Sequence, residues 1–178
     1  MPITIIDNGK GADKISGILT CPKKIIKPEE IGKENLSAVI ISDGAPQKNN
    51  QKCIELIQNF NRPMLGIGLG CLYMVAAFGG TIREGKNEKN ILVSVNQINP
   101  LTNEMKKKFK AVRENNFFID SLPECYDVVA TAGREIAIIN DIENPCFGIQ
   151  FNPEIDAETI AIIRNFRNFA EVWEKYHK

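Results

Sequence analysis

The stretch LGIGLGCLYMVAAFGG, residues 65–80, decides the fold predicted for this chain. It runs for 16 residues without a charged side chain and has three glycines within five positions near its head. This pattern predicts a buried strand over 64–67, a sharp glycine turn, and a buried helix over 70–78. Such turns often present a reactive group, so Gly68, at the tip of the turn, is the position that most needs an explanation.

On the N-terminal side of this stretch, strand patterns and helix patterns alternate. Apolar, β-branched runs predict strands at 3–6, 23–27 and 37–42, and apolar residues at helical spacing predict helices near 11–19 and 49–60. This alternation is typical of a parallel sheet with helices on both faces. The run at 37–42 is continuously apolar in its middle, as expected for a strand buried on both sides.

On the C-terminal side the pattern changes to strands joined by short turns. The predicted strands are 91–98, 109–112, 126–132, 135–140 and 146–151. They indicate a smaller antiparallel or mixed section, followed by an amphipathic helix at roughly 156–174. The sequence contains no repeat and no linker, so we expect a single α/β domain over residues 1–178.

The overall composition restricts the possible partners. The chain has 22 basic and 22 acidic residues, and this zero net charge favours neither nucleic acid nor an anionic membrane. Its longest uncharged stretch contains several glycines and is shorter than the ~18 consecutive apolar residues that span a bilayer. No targeting leader is recognisable at the start. We therefore expect a cytoplasmic protein.

Cysteine and histidine usage excludes several kinds of site. The five cysteines are odd in number and none forms a C-x-x-C pair, which argues against a disulfide framework and against structural zinc. We expect reduced, mostly buried thiols, no metal and no cofactor. The one histidine, His177, is next to last in the chain, so an interior site has no imidazole base unless the tail folds back.

Two mechanisms use a strand, a glycine turn and a helix in this order. The first is phosphate binding at the helix N-terminus by the turn Gly66–Gly70, with Glu88 twenty residues past Gly68 as a ribose-binding acid. The third small residue of that fingerprint is replaced by Cys71, and the turn follows the fourth predicted strand instead of the first. The second mechanism is a nucleophile elbow, in which backbone N–H groups at the helix start stabilise an oxyanion.

The segment MLGIGLGCLYMVAAFGGTIREG resembles the nucleophile segment of the class I (triad) glutamine amidotransferases, P-I-L-G-I-C-L-G-H-Q followed by glycines. The residues in register are Pro63, Leu65, Gly66, Ile67, Leu69, Gly70, Gly79, Gly80 and Gly85. GIQFNPE at 148–154 is similar to the family's G-V-Q-F-H-P-E, IISDGAP at 40–46 to its S-G-G-P loop, and IIDNG at 5–9 to the opening of its GMP synthase branch. Within the family, the chain is most similar to the glutaminase subunit of archaeal-type GMP synthase. The resemblance implies a flavodoxin-like α/β fold.

The same resemblance implies that the catalytic residues have been replaced. The family's nucleophilic cysteine corresponds to Gly68 and its general-base histidine to Asn152, whereas the third triad member is retained as Glu154. The remaining positions of the implied oxyanion and glutamine pocket are Asp43, Gly44, Leu69, Cys71 and Leu72. Asp43 stands where the family has the first glycine of the oxyanion loop, and Cys71-Leu72 replaces its His-Gln pair. Cys71 lies three residues from the nucleophile position, and we expect it to be a packed thiol.

Three hypotheses follow from this sequence. The chain is a non-catalytic amidotransferase-like protein that acts by binding or regulation, or an active glutaminase subunit that supplies ammonia through atypical residues, or a nucleotide-binding protein that uses the turn Gly66–Gly70. We favour the first, because Gly68 carries no nucleophile and Asn152 cannot relay a proton. The implied partners are a synthase subunit of the ATP pyrophosphatase type or another amidotransferase subunit.

Overall fold

A computed structural model describes residues 1–33, 35–45 and 50–177, with residue 50 described by its backbone only. The helices are α1 Ala12–Ile18, α2 Asn50–Asn59, α3 Leu69–Ala77 and α4 Ile160–Tyr176. The strands are β1 Ile3–Ile6, β2 Gly9–Lys10, β3 Lys23–Ile26, β4 Ala38–Ile41, β5 Asp43–Gly44, β6 Met64–Ile67, β7 Thr81–Glu84, β8 Asn90–Val95, β9 Lys108–Val112, β10 Phe117–Ser121, β11 Tyr126–Ala132, β12 Glu135–Asp141 and β13 Cys146–Ile149. Short 3₁₀ turns lie at Pro28–Glu30 and Pro100–Thr102.

Nine strands form one mixed sheet in the order β3-β1-β4-β6-β13-β12-β11-β8-β9. The first five are parallel to one another, and from β13 onward each neighbouring pair is antiparallel. The predicted fold class is therefore confirmed: an α/β protein with a parallel section and a smaller antiparallel section. Because the parallel strands point the same way, the loops that follow β4, β6 and β13 meet at one edge of the sheet.

Apolar side chains cover both faces of this sheet. On one face, α1 and α4 pack against alternate residues of the strands, such as Ile3 and Ile5 of β1. On the other face, α2 and α3 pack against the intervening residues, such as Val39 and Ile41 of β4. Sheet residues buried from both sides explain the continuous apolar runs in the sequence.

Helix α3 lies unusually close to the strands beneath it. A Cβ atom added to Gly70 would lie within 3.0 Å of Ile41, and one added to Gly66 would lie 2.7 Å from the backbone of Gly70. Real Cβ atoms do not approach other atoms so closely, so these two glycines permit the contact between helix and sheet. Their role in the structure is close packing.

Several predicted boundaries were wrong by a few residues. The predicted helix at 156–174 begins only at Ile160, because Thr159 and the residues before it form turns, with the Thr159 hydroxyl donating to the Pro153 carbonyl at 3.0 Å. The strand predicted at 91–98 ends at Val95, and the strand predicted at 146–151 ends at Ile149. Residues 46 and 49, which belong to a predicted motif and a predicted helix, lie outside the described residues.

Two small antiparallel ribbons were not predicted. β7 pairs with β10, and β2 pairs with β5. All four residues of β7 are exposed, so the sequence lacks the alternation that marks a half-buried strand. Among the described residues, no helix is long and apolar enough to cross a membrane.

Candidate functional site

The predicted site residues come from three loops that end parallel strands. Asp43 follows β4, Gly68 follows β6, and Asn152 and Glu154 follow β13. The parallel register brings these loops to one edge of the sheet, so residues far apart in the sequence become neighbours. Asp43 and Asn152, 109 positions apart, are joined by a hydrogen bond.

Gly68 occupies the strained turn between β6 and α3. Its φ is 52° and its ψ is −108°, a conformation that L side chains rarely adopt. Its N–H donates to the Ile149 carbonyl at 2.8 Å, and its own carbonyl accepts the Leu72 N–H and the Gln150 Nε2, each at 3.1 Å. These bonds hold the turn in place although its central residue has no side chain.

The space beside Gly68 is filled by the carboxylate of Asp43. A Cβ atom at position 68 would lie within 2.8 Å of Oδ1, Cγ and Oδ2 of Asp43. Asp43 is only 1% exposed, so the carboxylate has little room to move into solvent. In the present arrangement, a side chain at position 68 and the carboxylate of Asp43 exclude each other.

Asp43 also takes the hydrogen-bond donor at the start of α3. Its Oδ1 accepts the Leu69 N–H at 2.8 Å, and its Oδ2 accepts Asn152 Nδ2 at 3.0 Å. A carboxylate at a helix N-terminus is favoured by the helix dipole and by the free N–H groups there. In nucleophile elbows, the N–H of the residue after the nucleophile serves as an oxyanion donor. In this chain that N–H belongs to Leu69, and it already donates to Asp43.

Asn152 is fully buried, and its backbone N–H and side chain make four hydrogen bonds. Its backbone N–H donates to the Val112 carbonyl at 2.7 Å, and its Oδ1 accepts the Glu114 N–H at 3.0 Å. Its Nδ2 lies between two carboxylates, 3.0 Å from Asp43 Oδ2 and 3.3 Å from Glu154 Oε1. An amide so placed links the two acids but does not carry a proton between reaction steps.

Glu154 is 7% exposed and only partly satisfied. Its Oε1 accepts Asn152 Nδ2, whereas its Oε2 is buried without a hydrogen-bond partner in the described part of the chain. Burial raises the pKa of this carboxyl above its usual range, opposed by a backbone hydrogen bond and by Asn152, and the nearby Asp43 and Glu114 carboxylates raise the pKa further. Gly11 leaves space for it, since a Cβ there would lie 2.5 Å from Oε1.

Cys71 and Leu72 do not face this cluster. The Cys71 thiol is buried against β13, where a Cβ at Gly148 would lie 2.6 Å from its sulfur. Burial raises the pKa of Cys71 to about 12, so the thiol stays protonated near neutral pH. Leu72 is a buried member of the apolar layer formed with α2. Gly44, in β5, permits contact with the backbone of Asn8.

The sequence prediction missed two residues that support the turn. Gln150 binds the Gly68 carbonyl, and the Glu114 N–H holds the side chain of Asn152. Gln150 lies within the GIQFNPE motif, so its position was available, whereas nothing in the sequence near Glu114 signals its contact. His177 lies at the far end of α4, in a cavity with Met1 and Ser37 beside the amino ends of the strands, away from this edge of the sheet.

A comparison with known families agrees with this geometry. The family model described as glutamine amidotransferase class-I matches residues 15–169. The chain belongs to the class I glutamine amidotransferases.

Individual members of this family give a consistent picture. The chain is 27% identical over 148 residues to the A subunit of the glutamine-hydrolyzing GMP synthase of Methanocaldococcus jannaschii, covering 81% of this chain and 78% of that protein. It is 29% identical over 150 residues to the protein of the same name from Pyrococcus abyssi, covering 81% and 79%. A crystal structure from Thermoplasma acidophilum, described as the A subunit of a GMP synthase, superposes with a TM-score of 0.87 at 21% identity, over 99% of this chain and 96% of that one. That likeness shows the shared fold.

In this amidotransferase fold, the edge of the sheet holds a buried polar network of Asp43, Asn152 and Glu154. Among the described residues it presents no thiol, hydroxyl or imidazole in the place of a nucleophile or base at the turn. No group of three or more histidine, cysteine or acidic residues in that part of the chain could hold a metal ion. The network consists of two carboxylates, Asp43 and Glu154, joined through the amide of Asn152 by hydrogen bonds.

Proposed function

We propose that this protein is an amidotransferase-like subunit that does not hydrolyse glutamine and that acts by binding or regulation. The observation that carries the proposal is the Asp43 carboxylate, which fills the side-chain space at Gly68 and binds the Leu69 N–H. The nucleophile position and its oxyanion donor are thus blocked by one group. The roles of Gly68, Asn152 and Glu154 as triad-equivalent positions are part of this proposal.

Two steps of glutamine hydrolysis lack a residue to carry them out. Amide hydrolysis by this route needs a nucleophile that forms an acyl intermediate and a base that takes the nucleophile's proton and then passes it to the leaving ammonia. Gly68 supplies no nucleophile, and Asn152 supplies no titratable group. In a comparable triad, loss of the nucleophile alone lowers kcat by about 10⁶-fold. Glu154 then has no imidazole to orient.

The relatives' names make an active glutaminase the second candidate. Such an activity would need another nucleophile, and Cys71 is the nearest thiol in the sequence. Its sulfur is buried against Gly148, and its raised pKa keeps it neutral. Nucleotide binding at the turn Gly66–Gly70 is also disfavoured, because Asp43 already places a negative charge where a phosphate would bind.

The proposed partner is a synthase subunit of the ATP pyrophosphatase type, and the alternative is another amidotransferase subunit. The relatives are named for the A subunit of GMP synthase, which supports a role within an assembly. We propose that the protein acts in the cytoplasm, in line with its five free cysteines.

The first experiment measures ammonia release from glutamine by the purified chain, both by itself and with a synthase subunit. We expect no release above the protein-free blank in either case. The active A subunit of a glutamine-hydrolyzing GMP synthase serves as the positive control under the same conditions. Ammonia release that depends on the concentration of this protein would contradict the proposal.

A second experiment tests the blocking role of Asp43 directly. The double variant Gly68→Cys/Asn152→His restores nucleophile and base but keeps the carboxylate, so we expect no activity. Adding Asp43→Gly removes the blocking group, and we expect the introduced thiol to react with a glutamine-like electrophile in a glutamine-protectable manner. Equal reactivity in the double and triple variants would show that Asp43 does not block the position.

A further inference from the structure

A separate cavity of about 300 Å³, lined by more basic than acidic residues, lies between the β7–β8 connection and the turn that joins β11 to β12. Its charged lining residues are Arg83, Lys86, Glu88, Arg113, Arg134 and Glu135. Four cations and two carboxylates leave an excess of two positive charges in this lining. None of the site residues Asp43, Gly68, Asn152 and Glu154 contributes to it.

Arg113 is the decisive residue of this cavity. It is 2% exposed, and its Nε donates to the Gln150 carbonyl at 2.8 Å. Its Nη2 is buried and has no acceptor among the described residues. Burial lowers the pKa of Arg113, and the nearby charges of Glu135 and Glu88, which line the same cavity, partly oppose this effect. Arg113 lines the cavity, so an anion bound there would lie beside its guanidinium.

The walls of the cavity hold the arginines in place. The guanidinium carbons of Arg83 and Arg113 each lie 4.9 Å from the centre of the Phe118 ring, which is cation–π distance. Arg83 is also paired with Glu135 at 2.5 Å. A Cβ at Gly85 would lie 3.0 Å from both Arg83 and Phe118, so the chain packs closely around this pair. The arginines are therefore ordered before any ligand binds.

We propose that this cavity binds the phosphate group of a small phosphate monoester. The buried guanidinium of Arg113 attracts the phosphate from the cavity wall, and Arg134 and Lys86 close the site from the exposed side. A phosphate monoester carries nearly two negative charges at neutral pH, which matches the charge excess of the lining. The volume suits a small ligand. The site is independent of the proposed loss of glutamine hydrolysis.

The test is isothermal titration of the whole chain with inorganic phosphate and with glycerol 3-phosphate at constant ionic strength. We expect saturable binding with one site. Arg134→Gln and Arg113→Lys should each weaken it by roughly tenfold or more, because each removes charged hydrogen-bond donors. Arg134 is exposed, so its variant tests the site even if the change at Arg113 unfolds the chain. Lys108→Gln, an exposed position of β9 outside the cavity, should leave affinity unchanged.

The outcomes separate the possibilities. Absence of saturable binding for both phosphate compounds would overturn the proposal. An equal loss of affinity in Lys108→Gln and Arg134→Gln would also overturn it, since this indicates non-specific attraction. Saturable binding of succinate without binding of either phosphate compound would overturn the assignment to a phosphate group. None of these results depends on ammonia release from glutamine.

Discussion

At the scale of single residues, Asp43 and Gly68 are best understood as a matched pair. A carboxylate at position 43 needs the space that a side chain at position 68 would take, and a glycine at position 68 leaves that space empty unless a neighbour fills it. The carboxylate also satisfies the Leu69 N–H and Asn152 Nδ2 in a region that excludes water. The pair thus replaces a reactive site with a packed and hydrogen-bonded one.

This pairing predicts a steric coupling that stability measurements can detect. Gly68→Ala should lower the unfolding free energy by about 1–3 kcal/mol from backbone strain, and further because its Cβ meets the Asp43 carboxylate. In an Asp43→Gly background the steric contact with the carboxylate disappears and only the backbone strain remains. The loss of unfolding free energy caused by Gly68→Ala should therefore be smaller by about 1 kcal/mol or more. Gly79→Ala is the control, because Gly79 has φ +83° and open space around it. Strict additivity of the two changes would refute the coupling.

Glu154 gives a second prediction at this scale, on pH dependence. Its folded pKa is raised above the unfolded value mainly by burial, so its charged form destabilises the folded state. Ionisation of Glu154 therefore lowers the unfolding free energy of the wild-type chain as the pH rises through the folded pKa. Below the unfolded pKa, Glu154 is protonated in both states and does not lower it. Glu154→Gln keeps an acceptor for Asn152 and does not titrate.

We expect Glu154→Gln to be more stable than the wild type in urea at about pH 7.5, with the difference shrinking at about pH 4. Urea midpoints for both proteins at both pH values provide the measurement. Glu124→Gln, on the exposed surface, controls for the general loss of one carboxylate. A difference between Glu154→Gln and wild type that is the same at both pH values would show that charge burial is not its cause.

At the scale of elements, α3 shows what the sequence can and cannot reveal. The uncharged run at 65–80 correctly predicted a buried strand, turn and helix, because a segment covered on all sides contains few polar residues. The ribbon of β7 and β10 was missed, since it forms between segments more than thirty residues apart, and β7 is exposed throughout. The replaced triad positions could be named from sequence, but the Asp43 carboxylate entering the space at Gly68 depends on how β4 and β6 pair in the sheet.

The packing of α3 on the sheet predicts which thiols react. Cys71 is a fully buried residue of α3 that faces the sheet, so a thiol reagent should modify the partly exposed Cys21 and Cys125 well before it. Gly148→Ala places a methyl group 2.6 Å from the Cys71 sulfur, which should weaken the contact and speed labelling of Cys71 by about 5- to 30-fold. Gly17→Ala, in open space on α1, is the matched control. Mass spectrometry of timed samples gives the rates, and prompt labelling of Cys71 in the wild type would contradict the burial.

At the scale of the whole molecule, the nine-stranded sheet connects the parallel and antiparallel sections. The cluster that includes Ile3 of β1 also includes Val93 of β8 and Phe166 of α4, so one apolar layer extends across both sections. The candidate site lies at the carboxyl ends of the parallel strands, whereas His177 is near their amino ends, stacked on Trp173 with ring centres 4.3 Å apart. The single imidazole is therefore held just after the last turn of α4 and does not complete the site.

A shared apolar layer predicts that residues 1–178 unfold as one cooperative unit. The single tryptophan, Trp173, reports on α4, and far-ultraviolet circular dichroism reports on all elements, so both signals should change at the same urea concentration. Ile91→Val in β8 should shift both midpoints equally, by about 0.5–1.5 kcal/mol of unfolding free energy, although Ile91 lies in the antiparallel section. The same change at Ile98, which is fully exposed, should shift neither. If Ile91→Val shifted the urea midpoint of the circular dichroism signal but not that of the Trp173 signal, the antiparallel section would unfold separately. The two sections of the sheet would then not form one cooperative unit.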